Sequence, residues 1–178
     1  MSGGGAGRPR EGGRAEGSGP PAIAEIDALA ERWLGAWTAA GEEGFAACCT
    51  GDVSYEDPLA RVPLAGVAAL EGHARRLRSA FPDGAVERTA PALHRGEHAC
   101  IPWRLTGTHR GDLAMLPATD ESLDLQGLHY LELSDGLVRR ARGFVDLYDG
   151  ATQLGLLPER GGLGEAALLL LRGFGLRR

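Results

Sequence analysis

The chain predicts an α+β fold, with helices packed on one face of a curved, mostly antiparallel sheet, and three observations carry that prediction. Apolar residues recur at three- and four-residue steps through the first half of the chain. After Pro82-Asp83-Gly84 the period changes to that of extended strands. Asp135-Gly136 then separates two long apolar-alternating runs, the signature of a hairpin. Helices first and hairpin-linked strands afterwards define an α+β layout.

The elements follow in order. Residues 1–20 are dominated by Gly and have nothing to bury, so they read as a disordered tail. Ile23, Ile26, Ala30, Trp33 and Trp37 form one face of a first helix that Gly41 ends. Residues 43–50 read as a short second helix with Phe45 and Cys48 inward. Val53, Tyr55 and Asp57 then share one face of a strand, and Ser54 and Glu56 the other. After a loop with Pro58 and Pro63, a helix over 67–81 carries a stripe of Val67, Leu70, Ala74, Leu77 and Phe81. His73 falls beside that stripe, at the edge of the core or of a cavity. Residues 86–93 and 99–108 read as strands around Arg95-Gly96-Glu97. Pro102 argues for an edge, a bulge or an early-strand position. A long loop over 107–119 leads to strands over 123–133 and 137–147. A short helix carries Gln153 and Leu154, residues 158–164 break it, and a terminal helix spans 165–174.

The 178 residues suffice for one domain with its own core. A net charge of -5 points away from nucleic acid. All basic residues other than histidine are arginine, as the sequence contains no lysine. Cys48, Cys49 and Cys100 lack metal-ligand spacing, so no metal is expected and the three read as free thiols in a reducing cytoplasm. No apolar run reads as a signal peptide or a membrane span. No phosphate-binding Gly loop or Gly-x-Ser-x-Gly elbow occurs between a strand and a helix, and no cofactor is expected.

Four segments in fixed order carry a family resemblance over about residues 22–158: Tyr55-Glu56-Asp57-Pro58 after the opening helices, Phe81-Pro82-Asp83-Gly84, Trp103 to Thr119, and Gly127 to Pro158 with Asp146 seven residues before Gln153. Together they resemble the SnoaL-like branch of the nuclear transport factor 2-like superfamily, which includes polyketide cyclases and ketosteroid isomerases. The resemblance implies a domain over 21–158 shaped as a cone around a pocket, with residues 159–178 as an extension. It further implies a homodimer, a small apolar or polycyclic ligand, and proton transfer at carbon by buried carboxylates.

By that resemblance Asp57 or Asp146 is the general base, and His129 stabilises the enolate. An apolar cone would raise the Asp57 pKa. The structural alternatives are a turn fixed by Asp57, an Asp146–Arg142 pair holding a strand, and a satisfied core histidine. Trp33 stands where the isomerases carry a tyrosine, and an indole only donates. Trp33, Trp37, Tyr55, Trp103, His109, Arg142 and Phe144 are the expected pocket residues. Asp149 is the expected cap of the short helix. Two functions follow as expectations: a cofactor-independent cyclase or isomerase for a carbonyl compound, or a non-catalytic binding or dimerisation module. An epoxide hydrolase of this fold ranks third, because Arg104-Leu105-Thr106 lacks the needed Arg-x-Asp.

Overall fold

The computed structural model describes residues 23–38, 44–60, 62–113 and 116–172. The Gly-rich segment 1–20, Gly41 and residues 173–174 of the expected terminal helix lie outside the described residues. Helix α1 spans Ile23–Trp37, and a single 3-10 turn, Gly44–Ala47, leads into strand β1, Cys49–Glu56. Strand β2 is Leu64–Ala65, and helix α2 is Val67–Ala80. Strands β3 to β7 are Ala85–Arg88, Leu93–Arg95, His98–Thr108, Ser122–Ser134 and Leu137–Val145. Helices α3, Leu147–Gln153, and α4, Leu163–Leu171, close the described chain. Among the described residues no helix is long and apolar enough to cross a membrane.

The strands form one sheet in the order β2-β1-β7-β6-β5-β3, with β4 also on β5. All pairings are antiparallel except β1 with β7. α1 and α2 lie on one face, and their apolar stripes meet the sheet in a shared core around Trp33, Phe45, Tyr55, Leu70, Ile101 and Leu131. The alternation read from sequence places Val53 and Tyr55 inward on β1, and Asp57 follows them on that face. Asp135 and Gly136 have φ of 51° and 77°, the left-handed pair of a two-residue turn that matches the twist of a hairpin.

Two local expectations change. The second helix shrinks to one 3-10 turn, because Cys49 already pairs with Val138 in the sheet. The sulfurs of Cys48 and Cys49 lie 4.0 Å apart, both buried. The strand expected over 86–93 divides into β3 and β4. The division explains Pro102. Thr89 N–H donates to the Pro102 carbonyl (3.2 Å), so the proline nitrogen faces the gap between β3 and β4, where no ladder bond is lost.

Gly127 on β6 makes room for the site. A Cβ there would overlap the six-membered ring of Trp103, its partner on β5. Gly127→Ala is therefore expected to destabilise the fold by about 1–3 kcal/mol, measured as a lower urea midpoint with unchanged slope.

Candidate active site

Asp57 leaves the end of β1 into a turn that its own side chain builds. Its Oδ1 accepts the backbone N–H groups of Leu59 (2.8 Å) and Ala60 (2.7 Å). Its Oδ2 accepts the Tyr55 hydroxyl (3.1 Å) and Nε2 of His73 (2.7 Å). Four donors thus fill a carboxylate whose side chain is only 9% exposed. Burial alone would push the Asp57 carboxyl up. The His73 hydrogen bond and charge, with the Ala60 and Leu59 amides, outweigh it and hold the carboxyl below the usual aspartate value. The raised pKa expected of an acid in an apolar cone is therefore corrected.

Donor-only neighbours set the direction of every bond in this cluster. The Trp33 indole N–H donates to His129 Nδ1 (3.0 Å), so the neutral imidazole carries its proton on Nε2. That Nε2–H points to the Tyr55 oxygen (3.5 Å), and Tyr55 in turn donates to Asp57. From the other side, Arg76 Nη2 approaches His73 Nδ1 (3.3 Å), and His73 directs its Nε2–H at Asp57 (2.7 Å). Two chains of donation converge on one carboxylate.

His129 is locked neutral by its surroundings. Its ring stacks on Trp37 (5.4 Å, 11°) and leans on Trp103 (5.2 Å, 31°), with Trp33 edge-on at 5.5 Å. Burial drives its pKa down to about 3, and the attraction of Asp57 recovers only part of that shift. Burial, then Asp57, pushes the Tyr55 phenol well above its ordinary value, so it too stays protonated.

Asp57, Tyr55 and His129 line a small cavity of about 110 Å³, whose other walls include Trp37, Thr38, Arg78, Trp103 and Val145. Gly143 lies opposite His129 in the sheet and supplies the room. A Cβ at Gly143 would sit 2.7 Å from the Tyr55 hydroxyl and 3.2 Å from Asp57 Cβ. A second, larger cavity of about 430 Å³ adjoins the first through shared walls at Leu59, Leu77, Phe81, Leu105 and Leu125. It is lined almost wholly by apolar side chains of α2, β5, β6, the loop between those strands, and α3, with His73 and Arg76 on one side.

Several expected residues lie elsewhere. Asp146 is the N-cap of α3: its Oδ1 accepts the Tyr148 and Asp149 amides (both 3.0 Å), and its side chain is 56% exposed. The inward positions of β7 are Ala141 and Gly143, which turns Asp146, Arg142 and Phe144 away from the cavity. Arg142 packs its guanidinium over the exposed Phe144 ring instead of pairing with Asp146. Asp149, expected as the cap, accepts Gln153 Nε2 (2.9 Å). Gln153 also bonds both backbone groups of Asp124, fastening α3 to β6 as an added strand residue would. Trp33 is wholly buried behind His129 and does not reach the cavity. His109 is buried against Phe81 (5.2 Å), where Thr119 N–H donates to its Nδ1 (3.3 Å), so it ties the loop instead of covering a pocket mouth. Asp146→Ala is expected to remove about 1 kcal/mol of stability, which Asp146→Ser largely restores.

His73 is the site residue whose role the sequence did not reveal. Its spacing, three residues after Leu70 and four before Leu77, places it on the inward side of α2, but nothing local shows that it meets Asp57.

A curved, mostly antiparallel sheet with helices over one face is the ketosteroid isomerase-like fold class. A family model for SnoaL-like polyketide cyclases matches residues 27–154, and the chain belongs to that family. Among solved structures, a candidate SnoaL-like polyketide cyclase from a Jannaschia species superposes with a TM-score of 0.67 at 19% identity, covering 76% of this chain and 93% of its own. TsrD from Streptomyces laurentii gives 0.67 at 20%, covering 75% and 97%. AclR from Streptomyces galilaeus, a candidate hydroxylase, gives 0.66 at 20%, covering 85% and 94%. At such identities the likeness concerns the fold alone. No curated protein matches the chain.

Proposed function

We propose that the protein is a cofactor-independent cyclase or isomerase that removes a proton α to a carbonyl group. The observation that supports this reading best is the convergence of Asp57, Tyr55 O–H and His129 Nε2–H on one small apolar cavity. Membership of the SnoaL-like family supports a cyclase-type function in the coarse sense.

The saturated carboxylate sets the mechanism. Tyr55 sits between Asp57 and His129. An entering carbonyl oxygen takes the Tyr55 hydrogen bond, and that frees one lone pair on Asp57 Oδ2. The freed carboxylate is a stronger base at the moment its substrate arrives. The α C–H proton passes to Asp57, the C–H electron pair becomes the C=C bond, and the carbonyl oxygen becomes an enolate. Tyr55 and neutral His129 donate to that oxygen, as preorganised oxyanion donors do. The enolate carbon then attacks a second carbonyl to close a ring, and the alkoxide so formed takes the proton from Asp57, or the enolate takes that proton back at another carbon.

The test is deuterium exchange at the α carbon of butyrophenone in D2O, followed by proton NMR. Wild-type protein should accelerate exchange, and Asp146→Ala should exchange at the wild-type rate. Exchange no faster than buffer would sink the enzyme reading.

One observation favours a second reading: the Asp57 carboxylate already has four donors, as in a turn-fixing residue of a binding module. Such a module binds the ketone without exchanging its α protons. A homodimer and a cytoplasmic location complete the proposal, on family likeness.

A further inference from the structure

Helix α4 has no buried face. None of the nine residues of Leu163–Leu171 is buried, and Leu163 and Leu168 to Leu171 are each 43–92% exposed. Successive residues on a helix are about 100° apart, so four leucines in a row surround the axis instead of forming one stripe. A helix that is apolar all round belongs inside a protein or in lipid. α4 also lies beyond residues 27–154, which the family model matches, so it is an addition to the family domain.

The charges of this segment are sorted. The acidic side chain, Glu165, is held at the base of the helix: Oε1 accepts the Tyr148 hydroxyl (3.4 Å) and Oε2 the Gly161 N–H (2.6 Å). The cations stand at the other end. Arg172 is exposed just past the last turn, and Arg177 and Arg178 follow Phe174 and Leu176 in the sequence. Residues 163–178 thus set three arginines against one glutamate, in a chain whose net charge is -5. Leucines beside clustered arginines are the composition of a segment that lies in the interface of an anionic bilayer. α4 is about 13.5 Å long, less than half of the ~30 Å hydrocarbon core, so it lies on one leaflet and does not cross.

A second copy of the chain covers α4 poorly. A helix of that length and about 10 Å across has about 400 Å² of flank, and a pair would bury about half of each. The total of about 400 Å² falls well short of the ~1,200 Å² of a specific interface. A bilayer instead surrounds the leucines and pairs guanidinium groups with phosphate.

We propose that α4 is a membrane-docking helix that seats the protein on an anionic phospholipid surface, with its leucines among the acyl chains and the arginines on the phosphates. Tyr148 ties α4 to α3, and α3 and Leu156 wall the outer chamber, where Leu147 and Leu156 are half-exposed. Docking therefore brings that apolar wall to the lipid. It is independent of the enolising site.

Co-sedimentation of the full chain with vesicles provides the test, comparing pure phosphatidylcholine with phosphatidylcholine containing about 30% phosphatidylglycerol. The anionic vesicles should bind about tenfold tighter or more, the effect of the arginines at a charged surface less the repulsion of the acidic body. The neutral double variant Leu169→Gln with Leu170→Gln should lose about tenfold or more in binding. It should keep the wild-type urea midpoint, because neither side chain is buried. No binding, equal binding to both vesicles, or a variant that binds like wild type would overturn the proposal. So would a dimer in sedimentation velocity that the double variant dissolves, since the leucines would then serve a second copy.

Discussion

Asp57→Asn should abolish catalysed α-proton exchange, with a loss of about 10²–10⁴-fold, the range that a positioned general base contributes. An amide has almost no basicity, yet its Oδ1 still accepts the Leu59 and Ala60 amides that shape the turn. The new NH2 group then faces two donors, the Tyr55 hydroxyl and His73 Nε2–H. Tyr55 can rotate its proton toward another acceptor. The His73 Nε2–H has no other acceptor to turn to among the described residues, because the Arg76 donor faces its other nitrogen. A modest loss of stability should accompany the loss of exchange, and butyrophenone binding should persist. Because Asp57 titrates below the ordinary aspartate value, it is ionised throughout the neutral range. The acid limb of the wild-type pH profile should therefore fall below about pH 4, the ordinary aspartate value. An acid limb near pH 6 would assign the base to a different group.

The parts of this molecule legible in sequence are those set by local periodicity. The Ile26, Ala30, Trp33 and Trp37 stripe needs only the helical repeat, and the left-handed pair Asp135-Gly136 needs only its own backbone. Asp57 facing inward follows from the two-residue period of its strand. What escaped is set by long-range pairing. The break between β3 and β4 depends on β5, and the burial of Trp33 behind His129 joins residues 96 apart in sequence. Asp146 and Asp149 compete for one helix terminus, and the cap fell to the residue with extended backbone, φ -79° and ψ 93°. The expected raised pKa of Asp57 failed for a similar reason. Burial is visible in an apolar strand, but its hydrogen-bond partner comes from a helix 16 residues away.

Mild acid should destabilise the wild-type protein more than a His129→Gln variant, and the sign follows from burial. In the folded chain His129 protonates only near pH 3, whereas in the unfolded chain it does so near the ordinary value of about 6.5. The unfolded state therefore binds the proton first as the pH falls. The stability tied to neutral His129 is fully present above pH ~6.5 and declines toward pH ~3, by about 1.4 kcal/mol per pH unit. At pH 5 the loss amounts to about 2 kcal/mol. Asp57 acts in the same direction, but its window opens below the ordinary aspartate value of about 4, so the interval from pH ~6.5 to ~5 isolates the histidine. Glutamine does not titrate, can accept from Trp33 and can still donate toward Tyr55, and the other four histidines are common to both proteins. Urea unfolding of both proteins at several pH values measures the difference directly. A stability gap that narrows by about 2 kcal/mol from pH 7 to 5 is expected, and parallel curves would show that His129 is not held neutral. The same neutrality governs its part in the reaction. His129→Gln keeps a donor beside the enolate and should retain more exchange than His129→Phe, for which a loss of about 10²–10³-fold is expected.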